Sequence, residues 1–520
     1  MAAGSTVTGP DFTHGFELEQ IPDGGMLEGH VGNEGVLLLR RGKELFAVDA
    51  TCSHYGAPLK DGIFTGEDIR CPWHHARFDV RTGAVCGAPA FNGLSCWRVE
   101  QAGSKVVVRE KQRPRSTRRY SGGPESVVIV GAGVAGNTAA EELRRVGYKG
   151  RITLVGAEAT VTVDRPNLSK DFLAGTAQED WIPLREPGFY SRKKIELRTG
   201  TRVTSVDPSA HTVTLSDGSI VSWGALLIAT GTTPVRLSIP GAELPHVHVL
   251  RTFADSRAIL KNVRAGGPAV VVGASFIGLE VAASLRARGL DVHVVAPEQR
   301  PLERVFGPEL SDFLRALHES HGVRFHLGQT VTRIEPDRVV LGEEQSIDAR
   351  LVVMGVGVRP VTDVAEAAGC NLEGGVVVNP NLETSVPGIY AAGDVARFPD
   401  VDGKPIRVEH WSVAGELGRI AARNMIGLKE PFKAVPFFWS QHYDLPIAFT
   451  GHAERWDSVE IAGSLTERNC LLAYRVDGRI RAVASIHRDR DSLLAEDALS
   501  RGDDAALEHL LQKARPRARG

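Results

Sequence analysis

Hydrophobic positions follow three rhythms along the chain. In the first hundred residues they come as short runs, Val36–Leu39 and Leu45–Val48 around Arg41-Gly-Lys43, and again at Lys105–Val108. Short apolar runs broken by glycine turns predict strands and hairpins, so 11–112 reads as an all-β domain. From Val127 the rhythm is a buried strand, Val127–Val130, followed by a helical pattern with Ala139, Ala140 and Leu143 on one side. Gly147 sits at the expected C-cap, and Ile152–Val155 is the next strand. The same rhythm returns at Ala269–Val272, with a helix over Ile277–Arg288 and a strand beginning at Val292. Between and after these units, Ala225–Ala229, Val376–Val378 and Gly388–Ala391 read as strands, with Thr233-Pro234 as a break. Ala392-Gly393-Asp394 looks like a helix start, and Ala414–Met425 is a helical run. From about Pro431 a third texture begins. It has a hairpin, Leu471–Val476 and Ile480–Ala484 around Asp477-Gly478, then a helix over Leu493–Leu511 and a basic tail.

These textures imply a multidomain chain: an all-β domain at 11–112, a linker at 113–124, an α/β domain built from 125–242 and 372–430, a second α/β domain at 243–371, and a C-terminal α+β domain at 431–510. The linker carries proline, glycine and four arginines without periodicity. A chain of 520 residues is too long for one core. Its net charge of −2 gives no electrostatic case for nucleic acid or a membrane surface. Residues 1–10 lack a secretory pattern, no apolar run is long enough to span a bilayer, and six cysteines do not make a disulfide scaffold, so the cytoplasm is the expected compartment.

Each strand-to-helix passage carries a glycine turn. In the first, Gly131 allows the tight bend, Gly133 admits a pyrophosphate to the backbone, and Gly136 lets helix and strand approach. Glu158 lies where an acid accepts hydrogen bonds from a ribose. In the second, Gly273 and Gly278 are kept, Ser275 replaces the middle glycine and leaves less room, and Glu298 falls on Glu158. Two such units imply two dinucleotides, the second being the looser site. Glu298 favours an unphosphorylated ribose, whereas Arg300 suits a 2′-phosphate, so NADH is only mildly preferred over NADPH.

The other chemistry lies in the β domain. Cys52-Ser-His54 and Cys71-Pro-Trp-His74 each bring one sulfur and one imidazole. Two sulfurs and two nitrogens suit zinc or a [2Fe–2S] cluster with Cys₂ on one iron and His₂ on the other, although a C-x-H pair is tight for zinc. Cys86 and Cys96 lack partner spacing and read as core, and His75 reads as an exposed neighbour.

The C-x-H and C-x-x-H pairs resemble the Rieske family. That resemblance implies Cys52, His54, Cys71 and His74 as the cluster's ligands. Where high-potential Rieske proteins carry an extra cysteine in each loop, this chain has Ala57 and Trp73. Ala76 and Phe78 stand where a hydroxyl and a tyrosine would donate to the cluster, so a low-potential centre is expected. From 125 to about 484 the motifs GAGVAG, GAE, DRPNLSK, ATG at 229–231, GASFIGLE, AAGDVA and VEHW resemble the FAD-dependent pyridine nucleotide reductases, in the ferredoxin-reductase and apoptosis-inducing-factor branch. The Cys-x₄-Cys pair of disulfide reductases is absent. The resemblance implies FAD bound by Gly131, Gly133, Gly136, Glu158, Arg165, Lys170, Thr230, Gly231, Asp394 and Trp411. It implies NADH or NADPH bound by Gly273, Ser275, Gly278, Glu280 and Glu298. Lys170, paired with Glu280, and Trp411 are then the residues beside the flavin ring.

Nicotinamide gives two electrons as hydride and a [2Fe–2S] cluster takes one at a time, so flavin is the converter between them. The expected activity is an NAD(P)H reductase that passes electrons through FAD to its own Rieske cluster and on to an acceptor protein such as an oxygenase. The rival is an NADH-sensing signalling protein with slow turnover. A homodimer is among the expected assemblies.

Overall fold

The computed structural model describes residues 9–112, 120, 122–342 and 345–515. In the N-terminal domain six strands form one antiparallel sheet, ordered Phe16–Glu17, Lys105–Gln112, Cys96–Ala102, Glu44–Asp49, Glu34–Arg41 and Met26–Val31. The apolar run at 36–39 is continuous because both faces are covered. Leu37 and Leu39 pack with Phe46, Ile69 and Phe78, while Val36 and Leu38 pack with Phe12, Phe16 and Val106. A second sheet of four short strands, Ile63–Phe64, Asp68–Arg70, Arg77–Asp79 and Val85–Gly87, lies beside the first.

The next domain has a five-stranded parallel sheet, ordered Glu196–Arg198, Arg151–Val155, Ser126–Val130, Ala225–Ile228 and Ile389–Ala391. Its helices Val134–Arg145 and Trp411–Met425 pack on each other, where Gly418 lets the backbones approach; a Cβ there would lie 2.1 Å from the Ala135 carbonyl oxygen. The following domain repeats the plan with Val323–Leu327, Val292–Ala296, Ala269–Val272, Leu351–Met354 and Val247–Val249. In each domain a three-stranded antiparallel meander is inserted between strands of the parallel sheet, Val203–Ser222 before Ala225–Ile228 in the first and Val331–Asp348 before Leu351–Met354 in the second, so the duplication extends beyond the glycine turns. The C-terminal domain has a five-stranded antiparallel sheet, starting at Phe437–His442, and two helices.

Three expectations need correction. Thr232–Pro234 is not a break but a strand, paired antiparallel with Val358–Pro360 where the chain leaves the first parallel domain and re-enters it. No helix starts at Asp394. Gly393 turns at φ +81° against Ala135, and the chain runs on into strand Ala396–Pro399. The C-terminal helix is two, Asp489–Arg501 and Asp504–Ala514, because Gly502 takes a left-handed conformation and Asp503 caps the second helix. Of the linker only Tyr120 and 122–124 are described; the Tyr120 hydroxyl donates to the Ile426 carbonyl. The basic tail beyond Arg515 lies outside the described residues.

Candidate functional site

The first glycine turn has the shape a pyrophosphate needs. Gly131 stands at φ +113°, and a Cβ there would lie 2.1 Å from the Ala229 carbonyl oxygen. One on Gly136 would lie 1.9 Å from the Gly131 carbonyl oxygen, whereas Gly133 faces open space. Helix Val134–Arg145 therefore begins beside an open approach, without a side-chain cap over its free amides. Around this opening Arg165 donates to Glu158 at 2.5 Å, and Arg251 donates to Asp394 at 2.9 Å while its Nε is buried without a partner. Thr232 donates to the same Asp394 oxygen at 3.2 Å, and the Thr230 hydroxyl holds the Val361 carbonyl at 2.6 Å. Gly231 faces Arg251. An open glycine cradle, two guanidiniums and an orphaned donor fit an anionic dinucleotide. Arg251 was not singled out in the sequence, since nothing local marks it.

The second turn differs in one useful way. Ser275 caps helix Phe276–Ala287 by accepting from the Gly278 amide at 3.2 Å, and its hydroxyl donates to the Gly355 carbonyl at 2.7 Å. Gly273 turns at φ +104°. Glu298 is half-buried just past strand Val292–Ala296, while Arg300 is engaged by Asp312 at 2.8 Å and Glu303 at 3.0 Å.

Lys170 and Glu280 meet between the two parallel domains. The Lys170 ammonium donates to Glu280 Oε2 at 2.8 Å, and Ser169 donates to the same oxygen at 2.6 Å. Ser440 of the C-terminal sheet donates to Glu280 Oε1 at 2.7 Å. Both carboxylate oxygens are thus satisfied in a side chain that is 3% exposed, the condition for burying a charge. Trp411 begins helix Trp411–Met425, half-buried against the core of the first parallel sheet.

The two cysteine–histidine loops are structural copies. In each, the Cys amide donates to an alanine carbonyl at 2.8 Å, Cys52 to Ala57 and Cys71 to Ala76. In each, the residue before that alanine turns left-handed, Gly56 at φ +78° and His75 at φ +61°, and donates back to the cysteine carbonyl. The copies bring like donors together. Cys52 and Cys71 are close enough to act on each other, the first thiol being pushed up and the second held down. His54 and His74 bring their Nδ1 atoms to 3.3 Å. Burial holds His54 down to about 4 and His74 well below the usual imidazole range, leaving both in the neutral form a metal needs. Among the described residues no three such side chains converge on one ion position; the donors form one sulfur pair and one nitrogen pair. That division suits a binuclear cluster with different ligands on its two irons. His75, expected to be exposed, is 4% exposed instead. Its ring stacks on Phe437 at 3.7 Å and its Nδ1 meets Glu496 at 2.6 Å.

The loop tips are docked. The His74 ring lies 4.3 Å from Trp439 and His54 lies 6.3 Å from it, while Tyr55, stacked on His54, donates from its hydroxyl to Asp164 at the head of the loop leading to Lys170. Polar contacts support the docking: Glu416 accepts from Arg77 and from the Ala88 amide, Arg185 donates to Asn92 at 2.7 Å, and Arg490 donates to the Gly62 carbonyl at 2.6 Å.

Three family models match the chain. The model described as Pyridine nucleotide-disulphide oxidoreductase matches residues 125–418, Rieske [2Fe-2S] domain matches 14–98, and Reductase C-terminal matches 437–516. Apoptosis-inducing factor 3 of Homo sapiens is 33% identical over 91% of this chain and 81% of its own. Putidaredoxin reductase of Pseudomonas putida is 34% identical over 70% of this chain and 89% of its own. Among solved structures, a ferredoxin reductase from Rhodopseudomonas palustris superimposes with a TM-score of 0.72 at 34% identity, covering 75% of this chain and all of that one (100%). The reductase of the covalent putidaredoxin reductase–putidaredoxin complex gives 0.71 at 32%, over 75% and 99%. No helix among the described residues is long and apolar enough to cross a membrane. The chain belongs to the pyridine nucleotide-disulphide oxidoreductase family, as a ferredoxin-reductase-like NAD(P)H flavoprotein that carries a Rieske [2Fe-2S] domain.

Proposed function

We propose that the chain passes electrons from NADH through FAD to its own Rieske cluster, and from there to a separate one-electron acceptor such as an oxygenase component. The observation that carries this reading is the docking of the His54 and His74 loops onto Trp439 and Asp164, at the elements that frame Lys170. Gly131, Gly133, Gly136, Glu158, Arg165, Thr230, Gly231 and Asp394 would hold FAD, with Lys170 and Trp411 beside its ring. Gly273, Ser275, Gly278, Glu280 and Glu298 would receive the nicotinamide nucleotide. Cys52, His54, Cys71 and His74 would hold the cluster. Bound flavin supplies the exchange between hydride and single electrons. The Lys170 ammonium, held in one place by Glu280, stabilises negative charge arriving beside it in a low-dielectric pocket.

The test is an anaerobic NADH titration followed by optical and EPR spectra. NADH should bleach the yellow chromophore and bring up the reduced-cluster signal in the same titration. A cluster that stays oxidised while the chromophore bleaches rejects the reading.

A further inference from the structure

A chain of hydrogen bonds leads from the Lys170–Glu280 pair to the protein surface. Ser440 Oγ lies 2.7 Å from Glu280 Oε1 and 3.2 Å from His442 Nε2. His442 Nδ1 lies 3.1 Å from His318 Nε2, and His318 Nδ1 lies 3.3 Å from the Tyr443 hydroxyl. Ser440, His442 and His318 are buried; Tyr443 is half-buried, with the ring of the exposed His321 stacked on it at 3.6 Å.

An ionised carboxylate fixes every donor in this chain. Glu280 only accepts, so Ser440 donates to it and must accept from His442 Nε2–H. His442 Nδ1 then accepts from His318 Nε2–H, and His318 Nδ1 accepts from the Tyr443 hydroxyl. Burial holds His442 down to about 3 and His318 well below the usual range, so both stay neutral and each has one donor and one acceptor nitrogen. The other charges facing the chain are Lys170 at the inner end and Arg286 near Tyr443; His321 faces the outer end.

We propose that Ser440, His442, His318 and Tyr443 are a proton relay that lets Glu280 take a proton from solvent when hydride enters the site and return it when the electrons leave. This rests on the electron circuit proposed above. A hydride brings two electrons and one proton, hence one negative charge, into a pocket where the charges of Lys170 and Glu280 already cancel. Protonation of Glu280 restores neutrality, because an added negative charge nearby favours the uncharged carboxyl. The resting orientation, with every donor pointing inward, passes a proton only inward: Tyr443 gives to His318 Nδ1, His318 Nε2–H to His442 Nδ1, His442 Nε2–H to Ser440, and Ser440 to Glu280. The transfer leaves both histidines in the opposite tautomer and every donor pointing outward, ready to discharge. When the electrons have gone singly to the cluster, the hydride's proton and the Glu280 proton both leave. The balance is one proton taken up and two released, one net per NADH.

The holoenzyme is reduced anaerobically with NADH in weakly buffered solution containing a pH indicator, with infrared difference spectra taken in parallel. One proton should be taken up per chromophore bleached, with a protonated-carboxyl band that Glu280→Gln lacks. In His442→Gln, which keeps hydrogen-bonding groups but cannot exchange protons through two ring nitrogens, uptake should lag bleaching by about a hundredfold more than in the native protein. Tyr443→Phe should also lengthen the lag. Bleaching without uptake, uptake that survives Glu280→Gln, or uptake that stays coincident with bleaching in His442→Gln overturns the relay while leaving the circuit standing. Failure to bleach removes the circuit and the relay with it. Histidine ¹⁵N spectra of the oxidised native protein decide independently of any variant: both His442 and His318 should be Nε2–H tautomers, and a charged or Nδ1–H form of either breaks the chain.

Discussion

Trp439 and Ser440 are consecutive residues of one strand, and they serve opposite sides of it. The Trp439 ring lies 4.3 Å from the ring of His74, while the Ser440 hydroxyl lies 2.7 Å from Glu280. A strand sends alternate side chains to opposite faces, so Phe437–His442 is an interface in both directions. Phe437 and Trp439 receive His75 and His74; Phe438 stacks on His410, Ser440 holds Glu280, and His442 meets His318. The strand thereby ties the position of the cluster loops to that of the lysine pair.

Trp439→Ala tests that tie. Removing this half-buried ring takes away the contacts it makes with His54 and His74. The expected result is a slower rise of the reduced-cluster EPR signal relative to chromophore bleaching in rapid-mixing experiments. An unchanged ratio of the two rates would mean that Trp439 does not hold the domain.

The glycine turns and the cysteine–histidine pairs were legible because their chemistry depends on spacings of a few residues. The strand–turn–helix units around Gly131 and Gly273 are local in the same sense. Tyr55–Asp164, Arg251–Asp394 and Ser440–Glu280 are not: each joins residues more than a hundred positions apart, and no periodicity reports such a contact. His75 was misread for that reason, since the surface that buries it comes from Phe437 and Glu496 in another domain. Asp394 was expected at a helix start because an acid after glycine often caps one. Its actual partners, Arg251 and Thr232, lie far away in sequence.

Lys170→Met removes the ammonium while keeping most of the side chain's volume. Loss of one preorganised charge at a developing anion typically costs about 100- to 1000-fold in rate. Chromophore bleaching by NADH in stopped flow should slow by that order, and an unchanged rate would reject Lys170 as the charge beside the ring.

The cluster should be a weak oxidant. Ala76 and Phe78 are fully buried beside the cysteine–histidine loops and offer no hydroxyl, and all six cysteines are free, so no disulfide flanks the centre. Without those donors the midpoint should fall near the lower edge of the Rieske range, about −150 mV. Phe78→Tyr and Ala76→Ser should raise it. A native midpoint near about +300 mV in an EPR-monitored titration would contradict this.

Nucleotide choice follows from Glu298 and Arg300. Glu298 is proposed to face the ribose, and Arg300 is already held by Asp312 and Glu303. A 2′-phosphate would meet a carboxylate while Arg300 is already engaged, so kcat/KM should favour NADH by about tenfold or more. Glu298→Ser should narrow the ratio, and equal efficiency with both nucleotides in the native enzyme would remove the argument.

Acid should undock the N-terminal domain. Burial alone pushes Glu416 up, but Arg419 and Arg77 outweigh it and hold the carboxyl below its usual value; Glu496 is likewise pushed up by burial and held lower by His75 and Arg77. A carboxyl depressed in the folded state stabilises above its unfolded value, about 4.3, and loses that contribution as pH falls through the folded one. Docking should therefore be constant near neutrality and weaken progressively below about pH 4. Glu416→Gln removes the carboxylate bonded to both Arg77 and Arg419, leaving Glu496 and Glu142 as their remaining counter-charges, and breaking a buried pair costs up to about 3 kcal/mol. It should weaken docking at neutral pH and flatten the acid transition. Both effects are readable as the fraction of cluster reduced promptly by NADH across the pH series; a prompt fraction that holds steady down to pH values where the carboxyls are protonated would show that these ion pairs do not carry the docking.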